Sequence, residues 1–190
     1  MTYNRYRYYD NLAACYATPD PLGIRGGPRP HGHVDNPMNE VDPVGLSPIY
    51  GPLDGYGRPT GVWATLTSRD LRPTGTSPPT LNPPGFASGT APNFHQRSHL
   101  LADTLGRSGS DPRNLVTLTD GSNHPGMSRI ERQVRDFLRK NPNCSVTYVA
   151  IPLYNGSNLT PTGVAITART SAGEMLASTI VPNGLRQNRK

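Results

Sequence analysis

The stretch from residue 114 to residue 140 decides the fold: Asn-Leu-Val-Thr-Leu-Thr-Asp-Gly-Ser-Asn-His-Pro-Gly-Met-Ser-Arg-Ile-Glu-Arg-Gln-Val-Arg-Asp-Phe-Leu-Arg-Lys. Its opening run, residues 114–119, is rich in β-prone residues and predicts a short strand. Ser122 or Asn123 can cap a helix that runs to about Lys140, with Pro125 tolerated in the first turn. Apolar residues recur at helical spacing and predict one buried face, formed by Met127, Ile130, Val134, Phe137 and Leu138.

Further strands are predicted on both sides of this stretch. The chain before it carries one strand-like run at residues 61–67, and the chain after it carries three, at Ser145–Leu153, Gly163–Arg169 and Met175–Val181. Asn155-Gly156 and Ala172-Gly173 supply turn chemistry between the last three. The predicted class is therefore α+β, a small antiparallel sheet with a helix packed on it, preceded by a Pro/Gly-rich extension.

The overall composition excludes several classes of protein. Among 190 residues there are 20 Gly and 21 Pro, and 34% of the residues are hydrophobic, which argues against a long helical bundle or a coiled coil. No apolar stretch approaches the roughly 18–20 residues that cross a bilayer. The first ten residues lack the apolar core of a signal peptide. We therefore expect no membrane partner, and we expect any export to depend on a carrier rather than on a signal peptide.

The net charge of +6 is concentrated in the second half of the chain. Residues 1–91 carry seven basic and seven acidic side chains, whereas residues 92–190 carry twelve basic and six acidic ones. Of the 19 basic residues, 17 are arginines, which bind phosphates through paired hydrogen bonds. A polyanionic partner such as nucleic acid fits this half, although a GC-rich genome also favours arginine codons.

Four residues in this half carry the parts needed to hydrolyse a phosphodiester. Neutral His99 can take a proton from water near neutral pH. The amide oxygen of Asn123 is a suitable ligand for Mg²⁺. Glu131 follows Asn123 by eight residues, so a regular helix places both in one quadrant, and Arg135, one turn later, can face a phosphate.

Each of these residues also has an ordinary structural interpretation. A histidine beside two leucines is commonly a buried core residue, and an asparagine at this position is commonly a helix cap. The pair Glu131 and Arg135 has the spacing of a surface ion pair.

Several spaced motifs, in order, resemble the DNA/RNA non-specific endonucleases, the ββα-metal nucleases related to the Serratia nuclease. They are Gly57-Arg58-Pro59, Arg97-x-His99, Leu105-Gly106-x-Ser108-Gly109-x-Asp111-Pro112-Arg113-Asn114-Leu115, Asn123 and Glu131. The resemblance spans about residues 58–181. The family's Asp-Arg-Gly-His is here Gln96-Arg97-Ser98-His99, which weakens the inference for positions 96 and 98.

The resemblance implies a role for each matching residue. His99 would be the general base, and Asn123 the one protein side chain on a largely hydrated Mg²⁺, with Mn²⁺ as an alternative. Glu131 would hold metal-bound waters, and Asn114 would orient the site. Arg97 and Arg135 would steady the phosphate. The fold implied is a ββα-metal finger helix packed on the sheet.

Residues 3–46 resemble a second family, the end of an Rhs repeat core, whose shell encloses a variable C-terminal toxin. The resemblance rests on Tyr3–Asp10, Thr18–Gly23 and Asp42-Pro43-Val44-Gly45-Leu46. It implies a junction at Leu46-Ser47, and hence three regions: the Rhs end at 1–46, a Pro/Gly-rich lead-in with one strand at 47–91, and the catalytic region at 92–190.

Together the two resemblances imply an antibacterial endonuclease toxin that cleaves DNA, RNA or both with little sequence specificity. Its partners would be the parent Rhs shell and a cognate immunity protein, and it would act in the cytoplasm of a competing bacterium. The alternatives are a nucleic-acid-binding module without catalysis and an interaction tip of an Rhs protein.

Overall fold

The computed structural model describes residues 48–72, 81–87, 94–106 and 111–184, together with the backbone of three short strands near the N-terminus. The chain divides into two compact units, Met1–Ile49 and Tyr50–Lys190. The predicted junction at Leu46-Ser47 lies outside the described residues. That junction and the further division after residue 91 stay predictions.

The first unit contains a three-stranded antiparallel sheet. Its strands follow one another in space as they do in the chain, and Tyr3 lies opposite Tyr8. They are β1 (Thr2–Asn4), β2 (Arg7–Asp10) and β3 (Cys15–Tyr16).

The remaining elements comprise a five-stranded antiparallel sheet, a separate two-stranded hairpin and one long helix. In chain order they are β4 (Ile49–Tyr50), β5 (Val62–Thr67), β6 (His95–His99), β7 (Leu115–Thr119), α1 (Ser128–Lys140), β8 (Ser145–Leu153), β9 (Gly163–Thr170) and β10 (Met175–Pro182). In the five-stranded sheet the order is β10-β9-β8-β5-β4, and the hairpin pairs β6 with β7.

The central strand β8 explains why the sheet has one buried face. Its residues alternate strictly between core and surface, so Val146, Tyr148 and Ala150 are buried while Thr147 and Ile151 are exposed. The bounds of β8 are those predicted from the sequence, and β9 and β10 each extend one residue further than predicted.

Helix α1 covers the buried face of the sheet. Ile130, Val134 and Leu138 recur every four residues, are buried, and form the packed stripe that the sequence predicts. The helix packs on β8 and β10 and on two short 3-10 turns, Ser68–Asp70 and Asp103–Leu105. The predicted fold class, α+β with a helix on an antiparallel sheet, is confirmed.

The start of the helix differs from the prediction. A continuous helix from Ser122 or Asn123 is wrong, because the regular helix begins at Ser128 and the preceding segment, Ser122–Met127, is broken at His124. His124 has φ −140° and ψ 112°, which is extended backbone. The residue before a proline avoids helical angles because the proline ring collides with it, and Pro125 follows directly.

The Gly57-Arg58-Pro59 motif has a structural role. Arg58 is buried, pairs with Asp54, and donates from Nη1 to the carbonyl oxygens of Gly156 (2.7 Å) and Asn158 (2.8 Å). Its guanidinium also lies over the ring of Tyr154, 4.3 Å from the centroid. The arginine therefore ties the turn before β5 to the loop after β8. Within the described ranges, no helix has the length and apolar character needed to cross a membrane.

Candidate active site

His99 lies at the end of β6, the first strand of the hairpin. Across the hairpin His99 pairs with Leu115 and Arg97 pairs with Thr117. Successive side chains of a strand point to opposite faces, so Arg97 and His99 share one face and Ser98 points to the other. Ser98 is only 1% exposed, whereas His99 is half-buried. The strand therefore presents His99 and Arg97 side by side.

The backbone that follows His99 is fixed by Asn114. The Asn114 amide accepts a hydrogen bond from Leu101 N at 2.9 Å and donates one to Leu101 O at 3.0 Å, and its own carbonyl oxygen accepts from Leu100 N at 2.9 Å. Asn114 is fully buried. With both amide atoms used in this way, Asn114 acts on the site by holding the chain next to His99 rather than by touching a substrate.

Tyr148 connects the same loop to the central sheet. Its ring is fully buried in β8, and its hydroxyl donates to Leu100 O at 3.1 Å. Burial, with a smaller contribution from the Glu131 carboxylate, raises the pKa of Tyr148 well above its ordinary value. Tyr148 therefore joins the central sheet to the loop after His99. Sequence reasoning missed this residue, because a tyrosine at an inward-facing strand position has the signature of an ordinary core residue.

Glu131 lies in the first turn of α1 and is half-buried. Burial raises its pKa from 4.5 to about 7, and the nearby positive charge of Arg135 opposes this rise. A carboxyl group with this pKa changes its ionisation state near neutral pH. Carboxyl groups whose pKa is shifted this far are concentrated at functional sites. The pKa of Glu131 is therefore consistent with a functional role.

Arg135 lies one turn beyond Glu131 and is partly withdrawn from solvent. Its side chain is 25% exposed, and its buried Nε has no hydrogen-bond partner among the described residues. The nearest carboxylate that forms an ion pair with it, on Asp136, is 4.0 Å from Nε. A half-buried guanidinium with an unused donor is suited to an anion supplied from outside the protein.

Asn123 lies in the broken segment before α1, not on a regular helix with Glu131. The predicted placement of both residues in one quadrant of a regular helix is therefore wrong, because that helix begins only at Ser128. Hydrogen bonds of neighbouring residues hold this segment in place; for example, Ser122 Oγ donates to Pro182 O over 2.8 Å. Asn123 is half-buried, and within the described ranges no hydrogen bond restrains its side-chain amide. The amide oxygen is thus available to a ligand.

The donors present fit a cation that keeps most of its water. Among the described residues there is no cluster of three or more His, Cys, Asp or Glu side chains. The candidate ligand residues from the sequence, Asn123 and Glu131, would supply an amide oxygen and a carboxylate. Mg²⁺ prefers oxygen and gives up its waters reluctantly, so it needs few protein ligands. Zn²⁺ is more commonly held by several nitrogen or sulfur ligands.

A two-stranded hairpin whose first strand ends in a histidine, followed by an asparagine just before a helix and a glutamate in its first turn, is the arrangement of the ββα-metal nucleases. Residues 38–172 match the family described as DNA/RNA non-specific endonuclease. The chain belongs to this family.

Similarity to individual proteins agrees with the family. The chain is 30% identical over 150 residues to the probable deoxyribonuclease RhsA of Dickeya dadantii, a match that covers 78% of this chain and 10% of that protein. A match of 47 residues at 53% identity to the toxin protein Tse5 of Pseudomonas aeruginosa covers 24% of this chain and 4% of Tse5. The chain thus spans a small fraction of both relatives.

Two solved structures share the fold. The Sda1 nuclease with bound zinc matches with a TM-score of 0.62 at 26% identity, covering 74% of this chain and 76% of that one. NucA from Streptococcus agalactiae with bound magnesium matches with a TM-score of 0.63 at 23% identity, covering 72% and 70%. The expected ββα-metal architecture is confirmed.

Proposed function

We propose that this chain is a metal-dependent endonuclease that hydrolyses phosphodiester bonds of DNA, RNA or both with little sequence preference. One observation carries the proposal. The Tyr148 hydroxyl of the central sheet donates to Leu100 O, and the Asn114 amide bonds to both backbone atoms of Leu101, so the chain directly after His99 is held from two sides. A histidine fixed in this way at the end of a strand is suited to act as a base on a bound substrate.

His99 is the general base. A neutral imidazole accepts a proton from water, and the resulting hydroxide attacks phosphorus while the bond to the leaving oxygen breaks. Asn114 and Tyr148 hold the backbone after His99 at three points, which limits the motion of the imidazole relative to its target.

Asn123 and Glu131 would hold the divalent cation, Asn123 directly and Glu131 through water. When bound, the cation supplies positive charge that stabilises the charge developing on the phosphate and leaving oxygens. The oxygen donors favour Mg²⁺, with Mn²⁺ as the alternative. Of the two related structures, NucA contains magnesium and Sda1 contains zinc. The cleavage experiment therefore compares Mg²⁺, Mn²⁺ and Zn²⁺.

The two arginines bind the phosphate. The unused Nε of Arg135 and the remaining donors of Arg97 can hydrogen-bond to non-bridging oxygens. We assign both arginines to phosphate oxygens rather than to base edges, so cleavage is expected to tolerate many sequences.

The biological setting we propose is that of an Rhs toxin. Similarity to RhsA and to the toxin Tse5 supports a nuclease module carried by a much larger Rhs protein, delivered by a specialised secretion system into the cytoplasm of a competing bacterium. A producing cell then needs an immunity protein, and an acidic partner that covers the basic site is the natural form. The neighbouring gene product should bind this chain and inhibit cleavage; binding without inhibition would contradict occlusion of the site.

The test is incubation of the purified chain with plasmid DNA and with total RNA, each with Mg²⁺, Mn²⁺, Zn²⁺ or EDTA. Degradation that requires a divalent cation and stops in EDTA supports the proposal, and the two substrates report the preference. Retention of nucleic acid at low salt, without product under any metal, would instead support the non-catalytic binding module.

A further inference from the structure

A short segment, residues 81–87, lies on the face of the hairpin that carries His99. We call this segment the strap. Thr117 Oγ1 donates to Pro84 O at 2.8 Å, and Ala87 N donates to His95 Nδ1 at 3.1 Å. Thr117 and His95 lie on facing strands, so the strap is attached to both strands of the hairpin.

Two further strap residues contact Arg97. Arg97 Nε donates to Asn82 Oδ1 at 2.7 Å, and the guanidinium carbon lies 4.8 Å from the centroid of the Phe86 ring. Phe86 also packs against His95, with ring centroids 6.4 Å apart. The hydrogen bond fixes the direction of the guanidinium and the aromatic ring supports its face. The donors on Nη1 and Nη2 are not used by Asn82.

The held arginine is next to the proposed general base. Arg97 and His99 are two residues apart on β6, and therefore on the same face and about 6.6 Å apart along the strand. A long arginine side chain normally loses much rotational freedom when it binds an anion. An arginine that is already held loses less, and its contribution to phosphate binding is correspondingly larger.

We propose that Asn82 and Phe86 are positioning residues that hold Arg97 in place for the phosphate attacked beside His99. The inference rests on the proposed phosphodiester hydrolysis and deepens it. It assigns a function to the strap, which lies well before the hairpin in the sequence.

A double-mutant cycle tests the assignment. The chain is made as wild type, Asn82→Ala, Arg97→Ala and the double variant, and kcat/KM is measured on one oligonucleotide with saturating metal. We expect Asn82→Ala to lower kcat/KM about 3- to 10-fold in the wild-type background and less than about twofold in the Arg97→Ala background. Equal losses in both backgrounds would show that Asn82 acts independently of Arg97 and overturn the proposal.

Two further variants separate positioning from general stability. Asn141 donates to Phe137 O at 2.9 Å at the end of α1, so Asn141→Ala removes a similar hydrogen bond elsewhere; its effect should be additive with Arg97→Ala. Phe86→Leu keeps apolar packing but removes the aromatic face, and should also show coupling to Arg97. If Asn82→Ala fails to fold by thermal melting, the Phe86→Leu cycle decides.

The outcomes distinguish this inference from the proposed function. A wild type that cleaves neither DNA nor RNA overturns the proposed function and the inference with it. A wild type that cleaves, together with additive cycles at both Asn82 and Phe86, overturns the inference alone.

Discussion

The hydroxyl of Tyr148 donates a hydrogen bond to the carbonyl oxygen of Leu100 over 3.1 Å. Tyr148 belongs to the central strand of the sheet and Leu100 follows His99, so the sheet supports the backbone beside the proposed base. Burial, with a smaller contribution from the Glu131 carboxylate on α1, raises the pKa of this tyrosine well above its ordinary value.

Removing only the Tyr148 hydroxyl should weaken both stability and catalysis. Tyr148→Phe leaves the buried Leu100 carbonyl without this donor, so we expect a loss of about 1–2 kcal/mol in the free energy of unfolding and a lower kcat with KM little changed. Tyr154→Phe is the matched control, because its ring lies against Arg58 away from this loop. Equal kcat values for the two variants would contradict a role of the hydroxyl in holding the site.

Glu131 should make stability depend on pH when no metal is present. Its pKa in the folded chain is about 7, above the ordinary 4.5, so the folded state binds the proton more tightly between these values. Stability should therefore fall as the pH rises from 4.5 to 7 and change little above. We therefore expect the free energy of unfolding of Glu131→Gln, measured by denaturant titration in EDTA, to rise relative to that of wild type. The rise should be on the order of 2–3 kcal/mol as the pH increases from 4.5 to 8.

The control for this measurement is Glu174→Gln, which alters an exposed carboxylate in the turn before β10. It should show no such trend. Adding Mg²⁺ should reduce the gain of Glu131→Gln at pH 8, because a nearby cation favours the charged carboxylate. A pH-independent difference between Glu131→Gln and wild type would refute the assignment of the perturbed carboxyl.

Asn123→Ala should change the metal requirement of the enzyme. Loss of the amide oxygen removes the proposed direct ligand, so we expect the Mg²⁺ concentration for half-maximal cleavage to rise about 10-fold or more, or activity to vanish. Asn143→Ala, at an exposed asparagine after α1, serves as the control. An unchanged Mg²⁺ titration for Asn123→Ala would remove this residue from the metal site.

Arg135→Ala should lower turnover more than affinity. If its half-buried guanidinium stabilises charge that develops during the reaction, kcat falls about 10- to 100-fold while the Kd for a nucleic acid measured in EDTA rises about twofold. Arg129→Ala removes the same charge from an exposed position on α1 and should leave kcat within about twofold. Parallel losses in kcat and affinity for Arg135→Ala would reduce it to a simple phosphate contact.

The parts of the fold that could be predicted are those with a clear hydrophobic period. The alternation of apolar and polar residues in β8 predicts a strand, and the recurrence of Ile130, Val134 and Leu138 every four residues predicts a helix with one buried face. Strand β6 was not predicted, because His-Gln-Arg-Ser-His has no apolar alternation and is held by its partner strand β7. The helix begins later than predicted because His124, directly before Pro125, has extended backbone.

The site residues could be proposed from the spacing of motifs, but their supports could not. Asn82 precedes Arg97 by fifteen residues across an irregular region, and no local pattern indicates that the two side chains bond. The contact between Tyr148 and Leu100 joins residues forty-eight positions apart. Such tertiary hydrogen bonds depend on how elements are stacked, which periodicity does not specify.

The most direct test of the central claim is the single-turnover cleavage rate of His99→Ala beside Gln96→Ala, an exposed position on the same strand. With Mg²⁺ present, we predict that His99→Ala cleaves at least about 100-fold more slowly than wild type while its melting behaviour and nucleic-acid Kd stay close to wild type. Gln96→Ala should retain full activity. A folded His99→Ala variant that cleaves within a few-fold of the wild-type rate would contradict the account of His99 as the general base.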